Sequence, residues 1–142
     1  MTDKLYIFFD TETTGVPRDY KAPTTDTRNW PRLVQLGWIL MDSEGNKLSQ
    51  KDHIIRPEGF TIPADASRIH GITTERALKE GRELTAVIEE FMADFDTATF
   101  IVGHNVDFDK KFDTTNKIAM CDRYLPLSSR RELSPSYRKS QV

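Results

Sequence analysis

Ile7-Phe8-Phe9-Asp10-Thr11-Glu12-Thr13-Thr14-Gly15 begins as an apolar run and ends in two acids two positions apart, followed by Thr-Thr-Gly. The apolar opening reads as a buried strand, and residues 4–10 are assigned to a first strand. A strand sends alternate side chains to one face, so Asp10 and Glu12 project together. Two neighbouring carboxylates repel, and a pair placed at the end of an apolar strand calls for a compensating cation. Hard divalent ions, Mg²⁺ or Mn²⁺, take oxygen ligands of this kind. The plainer alternative is that both acids are solvated residues at a strand end.

Outward from that stretch, residues 16–32 are polar, carry Pro17, Pro23 and Pro31, and form a long loop of the kind that often serves function. Leu33 to Met41 is a second strand, in which Leu36, Trp38 and Leu40 alternate against Val34, Ile39 and Met41; apolar residues on both sides predict burial of both faces. Asp42-Ser43-Glu44-Gly45-Asn46 has hairpin-turn composition, and Lys47 to Arg56 returns antiparallel. Pro63 to Ile69 is expected to make one or two helical turns. Thr73 or Thr74 caps a short helix that Gly81 ends. From Glu83 to Phe95 the residues Leu84, Val87, Ile88, Phe91, Met92 and Phe95 make one apolar stripe at helical spacing, a core-facing helix. Thr99 to Val102 is a fourth strand. The helical crossover before it places it parallel to the first strand. Gly103-His104-Asn105 then turns into a helix near Val106. The C-terminal end of the first strand and the start of this helix share one edge, where ligands bind in open α/β sheets.

Bulk properties bound the rest. The chain has 142 residues, 37% of them hydrophobic and 30% charged, which fits one globular domain. No apolar run approaches the roughly 20 residues of a membrane helix, and no signal peptide is evident at the N-terminus. The single cysteine, Cys121, excludes an internal disulfide and a cysteine-based zinc cluster, and an intracellular, cytoplasmic setting is the expectation. A net charge of -2 argues against a broad basic surface for duplex DNA. Residues 123–142 nevertheless carry five basic side chains against one acidic, a net of +4.

A second constellation, Gly103-His104-Asn105-Val106-Asp107-Phe108-Asp109, falls at the edge just described. On a helix, positions two apart diverge by about 200°, so Asp107 and Asp109 cannot serve one site together. Asp107 reads as a helix-N-terminal acid, His104 as a hydrogen-bonded turn residue, and Phe108 as a packing or stacking partner. Phe9 to Gly15 with Gly103 to Asp109 resembles the first two motifs of the DnaQ-like (DEDD, ribonuclease H-like) 3′–5′ exonucleases, the family of the proofreading subunit of bacterial DNA polymerase III. Ile69-His70-Gly71-Ile72-Thr73 resembles the family's segment between them.

The resemblance implies an α/β fold: a ribonuclease H-like mixed sheet of three antiparallel strands plus a parallel one, flanked by helices and truncated at the C-terminus. It implies that Asp10, Glu12 and Asp109 are catalytic metal ligands for two Mg²⁺ or Mn²⁺ ions, with Asp10 bridging them. Thr11, Thr13, Thr14, Gly15 and Val16 would lie against the terminal nucleotide, with Ile69, His70, Asn105 and Phe108 helping to seat it. His70 also has a simpler reading as a structural turn histidine. The implied partners are single-stranded DNA or RNA 3′ ends and a polymerase or other replication protein. The third motif, a His or Tyr followed by an Asp, has no counterpart: no His follows His104 and no Asp follows Asp122. The expected layout is therefore an incomplete exonuclease-like domain over 1–116 and a polar, basic, poorly ordered tail over 117–142. Weak activity or none is expected of such a chain, and a non-catalytic nucleic-acid-binding module of the same fold is the alternative.

Overall fold

The computed structural model describes residues 4–19, 21–23, 26 and 28–103. Four strands and three helices follow in the order β1 (Leu5–Thr13), β2 (Leu33–Asp42), β3 (Lys47–Ile54), α1 (Ala64–His70), α2 (Thr74–Glu80), α3 (Leu84–Phe95), β4 (Phe100–Gly103). The sheet order is β3-β2-β1-β4. β1 and β2 pair antiparallel, as do β2 and β3, and β4 runs parallel to β1. This is the mixed sheet expected from the sequence.

Alternation along β1 splits the sheet into two faces. Ile7 and Phe9 turn toward α3, with Leu36, Trp38 and Leu40 beside them from β2. α3 answers with Val87, Ile88, Phe91, Met92 and Phe95, all buried. Aromatic rings fix the contact: Phe91 lies 5.7 Å from Phe9, 5.2 Å from Trp38 and 5.1 Å from Phe95, centroid to centroid. The Trp38 indole N–H donates to Asp94 Oδ2 at 2.8 Å, which satisfies the polar end of the ring and sets the height of α3. A second cluster gathers Val34 with Ile62, Ala66, Ile72 and Ala77 beneath α1 and α2.

Two expectations need correcting. β1 does not stop at residue 10 but runs to Thr13, because its antiparallel pairing with β2 carries the polar Asp-Thr-Glu-Thr segment onward as strand. Nor is β2 buried on both faces: Ile39 and Met41 are only half-buried. Val34, grouped above with those two, is buried, in the α1–α2 cluster.

Capping explains the helix ends. Thr73 is the N-cap of α2, its hydroxyl accepting from the Arg76 N–H at 3.1 Å. Gly71 ends α1 with φ 77°, a left-handed conformation suited to glycine. Gly81 ends α2 for a different reason: a Cβ there would lie 2.3 Å from the Ala77 carbonyl oxygen and 2.5 Å from the Arg56 nitrogen. Only glycine lets the chain pass that close to residue 56, where reciprocal 2.8 Å bonds (Arg56 N–H to Arg82 O, Arg82 N–H to Ile54 O) tie the approach to α3 onto the end of β3.

Candidate active site

The face of the sheet opposite α3 carries the acids. Cross-strand partners share a face, and the register lays them out in rows. Phe8 sits between Ile39 and Val102. Asp10 faces Gly37, which faces Asp52 on β3, and Glu12 faces Gln35. Phe8, Asp10, Glu12, Gln35, Gly37, Ile39, Asp52 and Val102 all line one cavity of about 580 Å³. Its lining mixes apolar side chains, among them Phe8 at 39% exposure, with carboxylates and amides.

The pairing of Asp10 with Glu12 on one face is therefore observed, at the C-terminal half of β1 and beside the end of β4, whose last residue Gly103 pairs with Phe9. The Thr11 N–H donates to Asp10 Oδ1 at 3.0 Å, which holds that carboxylate close to its own backbone. Glu12 lies just before the register shift between Glu12 and Thr13, an irregularity that re-aims the strand end.

The Thr-Thr-Gly segment carries the chain from Glu12 into the long loop. The Thr13 hydroxyl donates to the Gly15 carbonyl at 2.7 Å. Thr14 clasps the base of the long loop twice: its N–H donates to the Arg32 carbonyl at 3.0 Å and its hydroxyl accepts from the Arg32 N–H at 2.9 Å. Gly15 takes φ 155°, a conformation L side chains rarely adopt, and the chain turns there into the loop. The loop is stapled on itself where Asn29 bonds both ways with the Asp19 backbone at 2.8 Å. Arg32 lies over the Phe60 ring at 4.7 Å and donates to the Glu58 carbonyl at 3.2 Å, anchoring the loop's end.

Val16 and Ile69 are exposed apolar side chains, 76% and 84% open to solvent. His70 is half-buried. Its Nδ1 accepts from the Ile72 N–H at 3.1 Å, the turn role anticipated for it. In a neutral ring that bond leaves the proton on Nε2, and this atom is buried with no hydrogen-bond partner among the described residues. Asn105, Asp107, Phe108 and Asp109 lie outside the described residues, as does His104.

The donor chemistry suits a hard divalent cation, since two carboxylates share one face and line one cavity. Among the described residues, however, no group of three or more His, Cys, Asp or Glu side chains comes together to hold a metal, so further oxygen donors must come from elsewhere. Two cavity residues, Gln35 and Asp52, were not singled out from the sequence. A polar Gln interrupting the apolar run Leu33 to Met41 was the one available signal for the first; Asp52 is visible only through register.

Comparison with known proteins agrees with this geometry. An exonuclease family model matches residues 7–137. The DNA polymerase III PolC-type protein of Streptococcus sanguinis is 30% identical over 116 residues, covering 82% of this chain and 7% of that protein. The DNA polymerase III subunit epsilon of Rickettsia felis is 34% identical over 106 residues, covering 75% of this chain and 41% of that protein. The chain thus spans less than half the length of either relative. Among solved structures, a moderately thermophilic exonuclease I from Methylocaldum szegediense aligns with TM-score 0.58 and 25% identity over 72% of this chain and 20% of that one. Exonuclease I of E. coli, solved in complex with a dT13 oligonucleotide, aligns with TM-score 0.61 and 23% identity over 91% of this chain and 26% of that one, a likeness of fold. With the family model covering most of the chain and an acid pair at the end of a central strand, this protein belongs to the DnaQ-like 3′–5′ exonuclease family.

Proposed function

We propose that the chain is a divalent-metal-dependent 3′–5′ exonuclease domain that hydrolyses phosphodiester bonds at single-stranded 3′ ends. The observation that carries this reading is the placement of Asp10 and Glu12 on one face of β1, lining one cavity. Asp10 and Glu12 would hold Mg²⁺ or Mn²⁺, with Asp109 completing the ligand set. Bound cations of this kind supply an activated water and stabilise the departing 3′ oxygen. The chain's own residues do the positioning. Thr11, Thr13, Thr14 and Gly15 are assigned to lie against the terminal nucleotide, and the exposed apolar Val16 and Ile69 are assigned to it as well. His70, whose Nε2 has no hydrogen-bond partner among the described residues, is assigned to the same nucleotide, as are Asn105 and Phe108. The E. coli exonuclease I complex with dT13 supports a single-stranded DNA substrate, and the polymerase III relatives support a replication polymerase as partner.

The absence of a His after His104 and of an Asp after Asp122 leaves the general base and the fourth carboxylate without counterparts. Without a general base such chemistry slows by about 10²–10⁴-fold, so these 142 residues assayed alone should turn over slowly. The same absence favours, as a second reading, a domain that binds single strands without cleaving them. A 3′-labelled single-stranded oligonucleotide incubated with Mn²⁺ should release labelled mononucleotide slowly, and Asp10→Ala should abolish the release. Equal release from both proteins would overturn the assignment. Binding by the parent chain with no release at any Mn²⁺ concentration would select the second reading.

A further inference from the structure

Gln35 stands directly opposite Glu12 in the β1–β2 register, and its Nε2 donates to Asp52 Oδ1 on β3 at 2.9 Å. Both side chains line the cavity that holds Asp10 and Glu12. In the neighbouring row, Gly37 separates Asp10 from Asp52, so no side chain fills the ground between those two acids. A Cβ at residue 37 would lie in ordinary contact, 3.5 Å from Asp52 Oδ1.

A carboxamide is planar and carries two donors on nitrogen and one acceptor on oxygen. Fixing its nitrogen fixes its oxygen on the other side. Gln35 has carboxylates to either hand, Glu12 across on β1 and Asp52 diagonally on β3, and its N–H groups could go to either. Given to Glu12, they would compete with a cation for the same lone pairs. Given to Asp52, they leave Glu12 free and put a neutral amide oxygen at its disposal, a ligand type that hard divalent cations accept.

We propose that Asp52 is a positioning residue for the Asp10–Glu12 metal site, acting through Gln35. It draws the amide nitrogen toward β3, keeps the N–H groups off Glu12, and turns the amide oxygen toward the cation's shell. The proposal rests on the metal-dependent reading above and adds a third strand to it: β1 supplies the carboxylates, β2 an oxygen, and β3 the residue that orients that oxygen.

Calorimetric Mn²⁺ titration of the full chain tests this apart from catalysis, with thermal melts confirming that each variant folds. Residues that orient metal-site groups typically change affinity by about 10–100-fold, so Asp52→Ala should raise the Mn²⁺ Kd about 10-fold. Asp52→Asn keeps an oxygen acceptor for Gln35 and should stay within about 2-fold of the parent. Gln35→Ala combined with Asp52→Ala should bind no more weakly than Gln35→Ala alone, because both changes break one link. An unchanged Kd in Asp52→Ala would overturn the proposal. So would equal losses in Asp52→Asn and Asp52→Ala, which would make the effect one of charge. If the parent chain shows no saturable Mn²⁺ binding, or Asp10→Ala binds as well as the parent, the metal-site reading itself falls, and the role of Asp52 with it.

Discussion

Replacing Glu90 with Gln should flatten the acid end of this protein's stability curve. Glu90 projects from α3 toward β3 and collects three partners: Lys51 Nζ at 2.5 Å, Arg82 Nη1 at 2.7 Å and His53 Nε2 at 3.3 Å. Hydrogen bonds from Lys51 first, then Arg82, hold its carboxyl well below the usual 4.5, at about 2, against the opposing cost of burial. A carboxyl with a depressed folded-state value binds its proton more weakly folded than unfolded. Its contribution is fully present above pH 4.5 and is lost as pH falls from there toward 2. At about 1.36 kcal/mol per pH unit, that interval sets a ceiling of about 3.4 kcal/mol. Lys51 and Arg82 are 41% and 45% exposed, so water screens both pairs and the realised contribution is about 1–2 kcal/mol. Urea denaturation of the parent and Glu90→Gln at pH 7, 5, 4 and 3 reads this directly. The parent should be more stable by about 1–2 kcal/mol at pH 7, with the gap closing below pH 4.5 and shrinking in high salt. A gap that stays constant down to pH 3, or no gap at pH 7, would refute the reasoning.

Phe91→Ala removes the ring shared by Phe9, Trp38 and Phe95 at a fully buried position, and should lower stability by about 3–5 kcal/mol in the same urea assay; a loss under about 1 kcal/mol would mean the α3 face is packed otherwise. Gly81→Ala places a methyl group against three backbone atoms that cannot yield as a side chain would, and should cost about 1–3 kcal/mol. Its signature by hydrogen exchange is faster exchange of the Arg56 and Arg82 amides, which hold the β3–α3 junction; unchanged protection there would remove the proposed cause.

How far the sequence led depends on the distance over which each feature is encoded. The α3 stripe repeats every three or four residues, and every member from Val87 to Phe95 is buried as the spacing requires. The β2–β3 hairpin follows from Asp42, whose carboxylate accepts from the Glu44 and Asn46 amides at 2.9 Å within the turn itself. The parallel placement of β4 came from the helical crossover that precedes it, a rule that needs only element order. β1 was read three residues short because a polar Asp-Thr-Glu-Thr string looks like a strand end. Its partners on β2 are 20 or more residues away, and they decide the matter.

The same limit divides the site. Asp10 and Glu12 were legible together because strand alternation relates residues two apart. Gln35 and Asp52 were not, because what makes them neighbours of that pair is register: Glu12 to Gln35 across one strand gap, Asp10 to Gly37 to Asp52 across two. A one-residue slip of either pairing would send Gln35 or Asp52 to the α3 face, where the buried Leu36 and Trp38 now sit. Register therefore does chemical as well as structural work in this sheet. The apolar side chains that fix it lie on one face, under α3, and the acids and amides they align lie on the other. The position of the carboxylate pair is then a consequence of core packing around Trp38 and Phe91. A change that loosens that packing should disturb the alignment of Gln35 with Glu12 before it unfolds the chain.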